Sequence, residues 1–177
     1  DANMKEGDIK KADVSLIYMY DNTLKVLKIN GAQLKQYMEW SASFYNQYKD
    51  GDLTVSFNPN IRGYNYDMFS GVKYDIDISK PVGHRIVNLT WMDGTPVKDT
   101  DVFRLAVNNY RADTTLMNSE NGLFKDSDAK VVYDSQEKMG DAGRLRDLIR
   151  DYVVNVKNGV ITPEKFNNWK IVGTNWP

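Results

Sequence analysis

The sequence predicts one α+β domain over residues 1–177, with mixed, largely antiparallel sheets and flanking helices. Three observations carry this. Two stretches, residues 32–48 and 141–156, space their apolar side chains at helical intervals. Between and before them lie short runs with strand alternation, punctuated by Gly, Pro, Asn and Asp. No repeat and no linker-like stretch divides the chain, so the elements are expected to share one core.

In order, residues 1–12 are polar and read as a flexible entry. Val14 to Met19 is a continuous apolar run and predicts a buried strand, broken at Asp21-Asn22. Leu24 to Ile29 alternates apolar residues with lysine, as a half-exposed strand does, and Asn30-Gly31 turns the chain. Ala32 to Tyr48 is an amphipathic helix with Leu34, Tyr37, Met38, Ser41, Tyr45 and Tyr48 on one face, stopped by Lys49-Asp50-Gly51-Asp52. Leu53, Val55 and Phe57 alternate again and predict a strand. Residues 58–65 form a loop, and Met68 to Ile78 is a strand with Tyr74, Ile76 and Ile78 on one side. Ile86 to Trp91 is a strand followed by the Asp93-Gly94 hairpin signal. Val102 to Val107 is a strand that runs into Asn108-Asn109-Tyr110. Residues 112–130 lack periodicity and read as a loop or irregular helix, with Val131-Val132-Tyr133 a short strand. Asp141 to Val156 is the second helix, striped by Leu145, Leu148, Ile149, Tyr152, Val153 and Val156, capped by Asp141 and closed by Asn158-Gly159. Thr162-Pro163-Glu164 has the form of another helix start, and the tail with its two tryptophans is expected to pack back on the body.

Composition removes several kinds of chemistry. The 23 basic and 24 acidic side chains nearly cancel, so no binding of a nucleic acid polymer is expected. No apolar run approaches the ~18 residues of a membrane span. There is no cysteine, which removes disulfides, thiol catalysis and thiolate metal sites. The one histidine, His84, sits beside a turn and reads as a surface residue. Asp99 to Asp101 and Asp126 to Asp128 read as solvated turns, and Asp75 and Asp77 as the polar face of their strand. Neither a nucleophile elbow nor a Gly-rich phosphate loop is present. No catalytic residue and no metal ligand set is therefore expected in this chain; it reads as a domain that recognises a ligand.

The sequence has 11 Tyr and 4 Trp. Two tyrosines stand apart because polar loop residues adjoin them: Tyr20 before Asp21-Asn22, and Tyr110 after Asn108-Asn109. Rings at strand ends face solvent or a cleft, and two of them would sandwich a planar ligand. Each stacked base contributes roughly 1–3 kcal/mol.

Several segments resemble one known family in order and spacing along nearly the whole chain. They are Gly7-Asp8-Ile9-Lys10-Lys11-Ala12-Asp13-Val14, Tyr20-Asp21-Asn22-Thr23-Leu24, and the run from Val26 through Gly31 to Lys35. Ser70-Gly71-Val72-Lys73-Tyr74-Asp75-Ile76-Asp77, Arg85-Ile86-Val87-Asn88-Leu89, Asn108-Asn109-Tyr110-Arg111-Ala112 and Asn167-Asn168-Trp169-Lys170 follow. This pattern resembles the 5′-nucleotidase C-terminal domain, a layered α/β/β/α fold. The tyrosine forms of the second and sixth segments are most similar to the 2′,3′-cyclic-nucleotide 2′-phosphodiesterase/3′-nucleotidase branch.

The resemblance implies a substrate-recognition domain, a fragment of a larger two-domain phosphoric ester hydrolase. Its ligands would be nucleosides and nucleotides, with the base between Tyr20 and Tyr110 and Asn22 touching the base. Its partner would be an N-terminal metallophosphoesterase domain of the same parent chain, holding two divalent metal ions. That domain would carry the hydrolysis of 2′,3′-cyclic nucleotides and 3′- or 5′-nucleotides, and this chain alone would be inactive. The resemblance also implies a secreted, periplasmic or cell-wall location; no signal peptide is visible at Asp1. Two departures stand out. Asp113-Thr114-Thr115-Leu116 replaces the family's Gly-Gly loop, with Leu116 where a ribose-binding aspartate is usual, and the family's upstream Asn and Arg contacts would precede Gly7. The altered loop favours a rival reading, a cell-surface structural or adhesive domain that has lost nucleotide binding. An independent enzyme is disfavoured by the lack of a nucleophile or metal constellation.

Overall fold

A computed structural model describes residues 5–175; the start of the polar entry (residues 1–4) and Trp176 and Pro177 of the tail lie outside it. In chain order the elements are α1 (Val14–Ile17), β1 (Leu24–Asn30), α2 (Gly31–Ala42), β2 (Val72–Asp77), β3 (Ile86–Trp91), β4 (Val102–Asn108), β5 (Lys130–Asp134), α3 (Ser135–Met139), α4 (Leu145–Asp151) and β6 (Trp169–Val172). Cα packing separates two compact units, Asp1–Ile29 with Arg104–Glu164, and Asn30–Phe103 with Lys165–Pro177. Two three-stranded sheets, β4-β1-β5 and β3-β2-β6, give the α+β class expected, with β1/β5 and β2/β3 antiparallel and β2/β6 parallel.

In the first unit, β1 pairs with β5 through Lys25–Asp134 and Val26–Tyr133, and a bulge then sets Leu27 opposite Val131. Leu27, Ile29, Ala112, Leu116 and Phe124 are buried. Val14 to Met19 is not a strand. Asp13 accepts the Lys10 backbone N–H at 2.7 Å, a 3-10 turn follows, and α1 continues from it. A short apolar run fits either element; here only Val14 of the helix is buried, and Leu16 and Ile17 are exposed. Tyr20 therefore lies in the loop between α1 and β1, not at a strand end. Residues Arg111–Leu116 form a wide π-type turn directly after β4. The second helix is also shorter than its stripe. Asp141 sits in a 3-10 turn (Gly140–Gly143), paired with Arg144 at 2.9 Å, so it does not cap α4. Beyond α4 the helix widens over Tyr152–Val156 and stops at Asn158 (φ 52°) and Gly159 (φ 82°), where the Gly159 N–H reaches the Val153 carbonyl at 2.8 Å. No helix starts at Thr162: residues 161–168 are irregular and Phe166 is exposed, so the proline signal has no apolar stripe behind it.

In the second unit, Asn30 caps α2. Its side chain accepts the Gln33 N–H at 2.9 Å, and Gln33 Oε1 accepts the Asn30 N–H at 2.7 Å. The helix ends at Ala42, although its stripe continues through Tyr45 and Tyr48, which are buried. Backbone N–H groups beyond it turn elsewhere: Asn46 to the Ser56 carbonyl at 2.9 Å and Tyr48 to the Ile78 carbonyl at 2.8 Å. Leu53 to Phe57 forms no strand; Leu53 is 93% exposed and Phe57 makes only an isolated bridge to Tyr45. The expected strand from Met68 begins at Val72, with Tyr74, Ile76 and Ile78 buried as the alternation requires. Glu39, buried on α2, accepts the Arg85 and Ile86 backbone N–H groups at 2.9 and 2.7 Å. The buried Arg85 guanidinium donates to the Ala42, Tyr45 and Lys80 carbonyls. Burial holds it below the usual arginine pKa, partly offset by Glu39. Trp169 of β6 lies opposite Tyr74, and the buried Asn168 donates to the Phe69 and Val72 carbonyls, each at 2.7 Å, which docks the tail on β2.

Candidate functional site

In the first unit, two chain segments meet at one phenol. The Tyr18 hydroxyl accepts Asn22 Nδ2 at 2.8 Å and Asn108 Nδ2 at 3.0 Å. Next to it, Thr23 and Asn109 exchange two bonds of 2.9 Å, the Thr23 N–H to Asn109 Oδ1 and the Asn109 N–H to the Thr23 carbonyl. The Leu145 N–H then donates to the Asn22 carbonyl at 2.8 Å, and Arg146 pairs with Asp21. Asparagine is suited to this work, because its amide bonds backbone and side-chain groups at the ends of elements.

Both predicted tyrosines are attached to this junction. Tyr20 is 61% exposed, and its ring meets that of Tyr18 edge-on at 6.2 Å. Tyr110 is 47% exposed and directly follows Asn109. Asn22 is half-buried with its Nδ2 on Tyr18. So the three residues picked from the sequence project from segments tied to each other by side-chain and backbone bonds. Tyr18 and Asn109 complete the junction beyond the residues that the sequence singles out. Tyr18 was hidden inside an apolar run, and the polar Asn108-Asn109 pair at a strand end was the available signal.

The turn after Tyr110 is anchored too. Asn108 Oδ1 accepts the Arg111 N–H at 2.7 Å, and the Thr114 hydroxyl bonds the Tyr110 carbonyl at 2.6 Å. Lys25 Nζ reaches Asp113 at 2.8 Å and Asp134 at 3.4 Å. Desolvation lowers the pKa of this ammonium, but the two carboxylates outweigh it and hold it above the usual lysine value. Leu116 is fully buried, so that position serves the core. His84 is exposed on a turn of the second unit.

A profile for the 5′-nucleotidase C-terminal domain matches residues 1–116. The chain belongs to that family. Among curated relatives, it is 33% identical to the trifunctional nucleotide phosphoesterase protein YfkN of Bacillus subtilis, over 98% of this chain and 12% of YfkN. It is 31% identical to the 2′,3′-cyclic-nucleotide 2′-phosphodiesterase/3′-nucleotidase of Haemophilus influenzae, over 96% of this chain and 26% of that protein. The domain thus spans about a quarter or less of these relatives. A Staphylococcus aureus protein described as a 5′-nucleotidase, solved with alpha-ketoglutarate, superposes with a TM-score of 0.67 at 30% identity, over 90% of this chain and 29% of that one. A 5′-nucleotidase precursor from Thermus thermophilus shares the fold, with a TM-score of 0.63 at 21% identity over 96% of this chain and 28% of the other.

This 5′-nucleotidase C-terminal domain offers, among the described residues, no group of three or more His, Cys, Asp or Glu placed to hold a metal ion. The residues present do not fit a dimetal centre, and no metal-dependent step is assigned to them. Among the described residues, no helix is long and apolar enough to cross a membrane.

Proposed function

We propose that this domain recognises nucleosides and nucleotides by stacking the base between Tyr20 and Tyr110, with Asn22 on the base edge. The observation that carries the reading is the junction itself. Two exposed tyrosines project from segments fastened together through Tyr18, Asn22, Asn108 and Asn109. Fixing both segments before the ligand arrives lowers the ordering cost of a clamp. Asn22 donates Nδ2 to Tyr18, which leaves Oδ1 to accept from a base amine. The clamp would present 2′,3′-cyclic nucleotides and 3′- or 5′-nucleotides to an N-terminal metallophosphoesterase domain of the same parent chain. The two divalent metal ions of that domain would supply the hydrolytic chemistry, and this domain alone would hydrolyse nothing. An exported setting, periplasmic or at the cell wall, belongs to the same reading.

The test is calorimetric titration of adenosine and 3′-AMP into the chain and into a Tyr20→Ala/Tyr110→Ala double variant. Binding is expected between about 100 μM and a few millimolar, and to disappear in the double variant. Adenosine affinity unchanged in that variant would refute the clamp. Absence of binding to the unaltered chain would favour the rival, a structural domain at the cell surface, to which the buried Leu116 lends support.

A further inference from the structure

Beside the tyrosine junction, α4 brings together arginines that the base-stacking reading does not use. Arg144, Arg146 and Arg150 line a pocket of about 400 Å3 with Val14, Ser15 and Asp147. The spacing explains their convergence. Arg146 and Arg150 are four residues apart on one helix face, and Arg144 precedes the first turn, where the Leu145 N–H is fastened to the Asn22 carbonyl. Two of the arginines are ion-paired with aspartates outside the lining. Asp141 holds Arg144 at 2.9 Å and Asp21 holds Arg146, and neither aspartate is part of the lining. Arg150 has no ion pair or hydrogen bond from its side chain among the described residues and is exposed. The lining thus contains three arginines and one aspartate, Asp147, with Ser15 beside them, and Arg150 is the arginine of the three without an aspartate partner among the described residues.

We propose that this pocket is an oxyanion site that takes the phosphate group of a small phosphate ester. Guanidinium forks match the geometry of phosphate oxygens, and charge-assisted bonds of this kind are roughly twice as strong as neutral ones. Partly ordered arginines lose less freedom when the anion arrives, because Asp141 and Asp21 have already fixed two of them. The volume exceeds what a bare phosphate fills and leaves space for the organic group of an ester. The site does not depend on base stacking, since its lining contains neither Tyr20 nor Tyr110.

Titration of inorganic phosphate and of glycerol phosphate into the full chain, at constant ionic strength, tests this. Saturable binding in the low millimolar range is expected, weakened about tenfold in Arg150→Met. Among the described residues the Arg150 side chain has no hydrogen bond or ion pair to lose, so that variant is expected to keep the fold. Asp147→Asn removes the only carboxylate of the lining and should tighten binding about threefold, an effect that a purely structural role for the cluster does not give. The Tyr20→Ala/Tyr110→Ala variant should bind phosphate like the unaltered chain, which separates failure of this site from failure of the base clamp. Glycerol phosphate binding more tightly than inorganic phosphate supports the ester. Equal affinity for the two would overturn the ester and leave free phosphate as the ligand. No saturation up to about 50 mM of either probe, or Arg150→Met binding as the unaltered chain does, would overturn the site.

Discussion

Tyr18→Phe removes one oxygen and keeps the ring. In the structure that oxygen accepts two amide donors, Asn22 Nδ2 at 2.8 Å and Asn108 Nδ2 at 3.0 Å, both part-buried. A neutral hydrogen bond is worth about 1 kcal/mol net, and a stranded buried donor costs about 1–3 kcal/mol. Because water can reach part of this junction, the lower end applies, and the two bonds together predict a loss of about 1–2 kcal/mol. With a urea dependence of about 1–3 kcal/mol per molar, the unfolding midpoint of the first unit should fall by about 0.5–1 M. The edge contact of the Tyr18 ring with Tyr20 survives the change, so only the fastening of the two loops is tested. Urea unfolding followed by circular dichroism reads the stability, and adenosine titration reads the clamp. Affinity should drop about fivefold, since the rings would then have to be ordered on binding. A midpoint within about 0.1 M of the unaltered chain would refute the view that Tyr18 fastens the junction, whatever the ligand result.

Two further outcomes follow from the second unit. Gly31→Ala would set a Cβ 2.0 Å from the Lys98 carbonyl oxygen, which is backbone and cannot step aside, so a loss of at least about 2 kcal/mol is expected by thermal or urea unfolding. Asp101 accepts the Lys98 N–H at 2.9 Å and Trp91 Nε1–H at 3.1 Å, and these bonds, the backbone one first, hold its carboxyl below the ordinary aspartate value. A depressed folded-state pKa stabilises the fold above the unfolded value and is lost as pH falls through the folded one. The Trp91 indole proton, followed by NMR, should therefore titrate with a midpoint below that of an ordinary carboxylate, and Trp91→Phe should raise the Asp101 midpoint. A Trp91 midpoint at the ordinary value would count against the pairing.

Much of this domain was legible in its residues. Alternation placed Leu24 to Ile29 within a residue of β1, where Leu27 and Ile29 are buried and Lys28 exposed, and the strands read at Ile86 to Trp91 and Val102 to Val107 match β3 and β4 within a residue. Asn158-Gly159 marked the end of the second helix, where both residues have positive φ, and at Asn30-Gly31, read as a turn, the Asn30 side chain caps α2. The polar loops beside Tyr20 and Tyr110 marked those rings as exposed, and they are. Local signals failed where distant partners decided the outcome. The stripe of α2 runs on through Tyr48, but the backbone beyond Ala42 bonds Ser56 and Ile78 in place of its own helix. Val14 to Met19 could extend or coil, and the turn begun by Asp13 coils it. The meeting of Tyr18, Asn22 and Asn108, and that of Arg144, Arg146 and Arg150 with Ser15, join residues up to 135 positions apart in the chain. No period or motif encodes such neighbours. They are fixed by which strand pairs with which, so composition and spacing determined the elements and the exposed rings, while tertiary pairing alone decided what stands beside them.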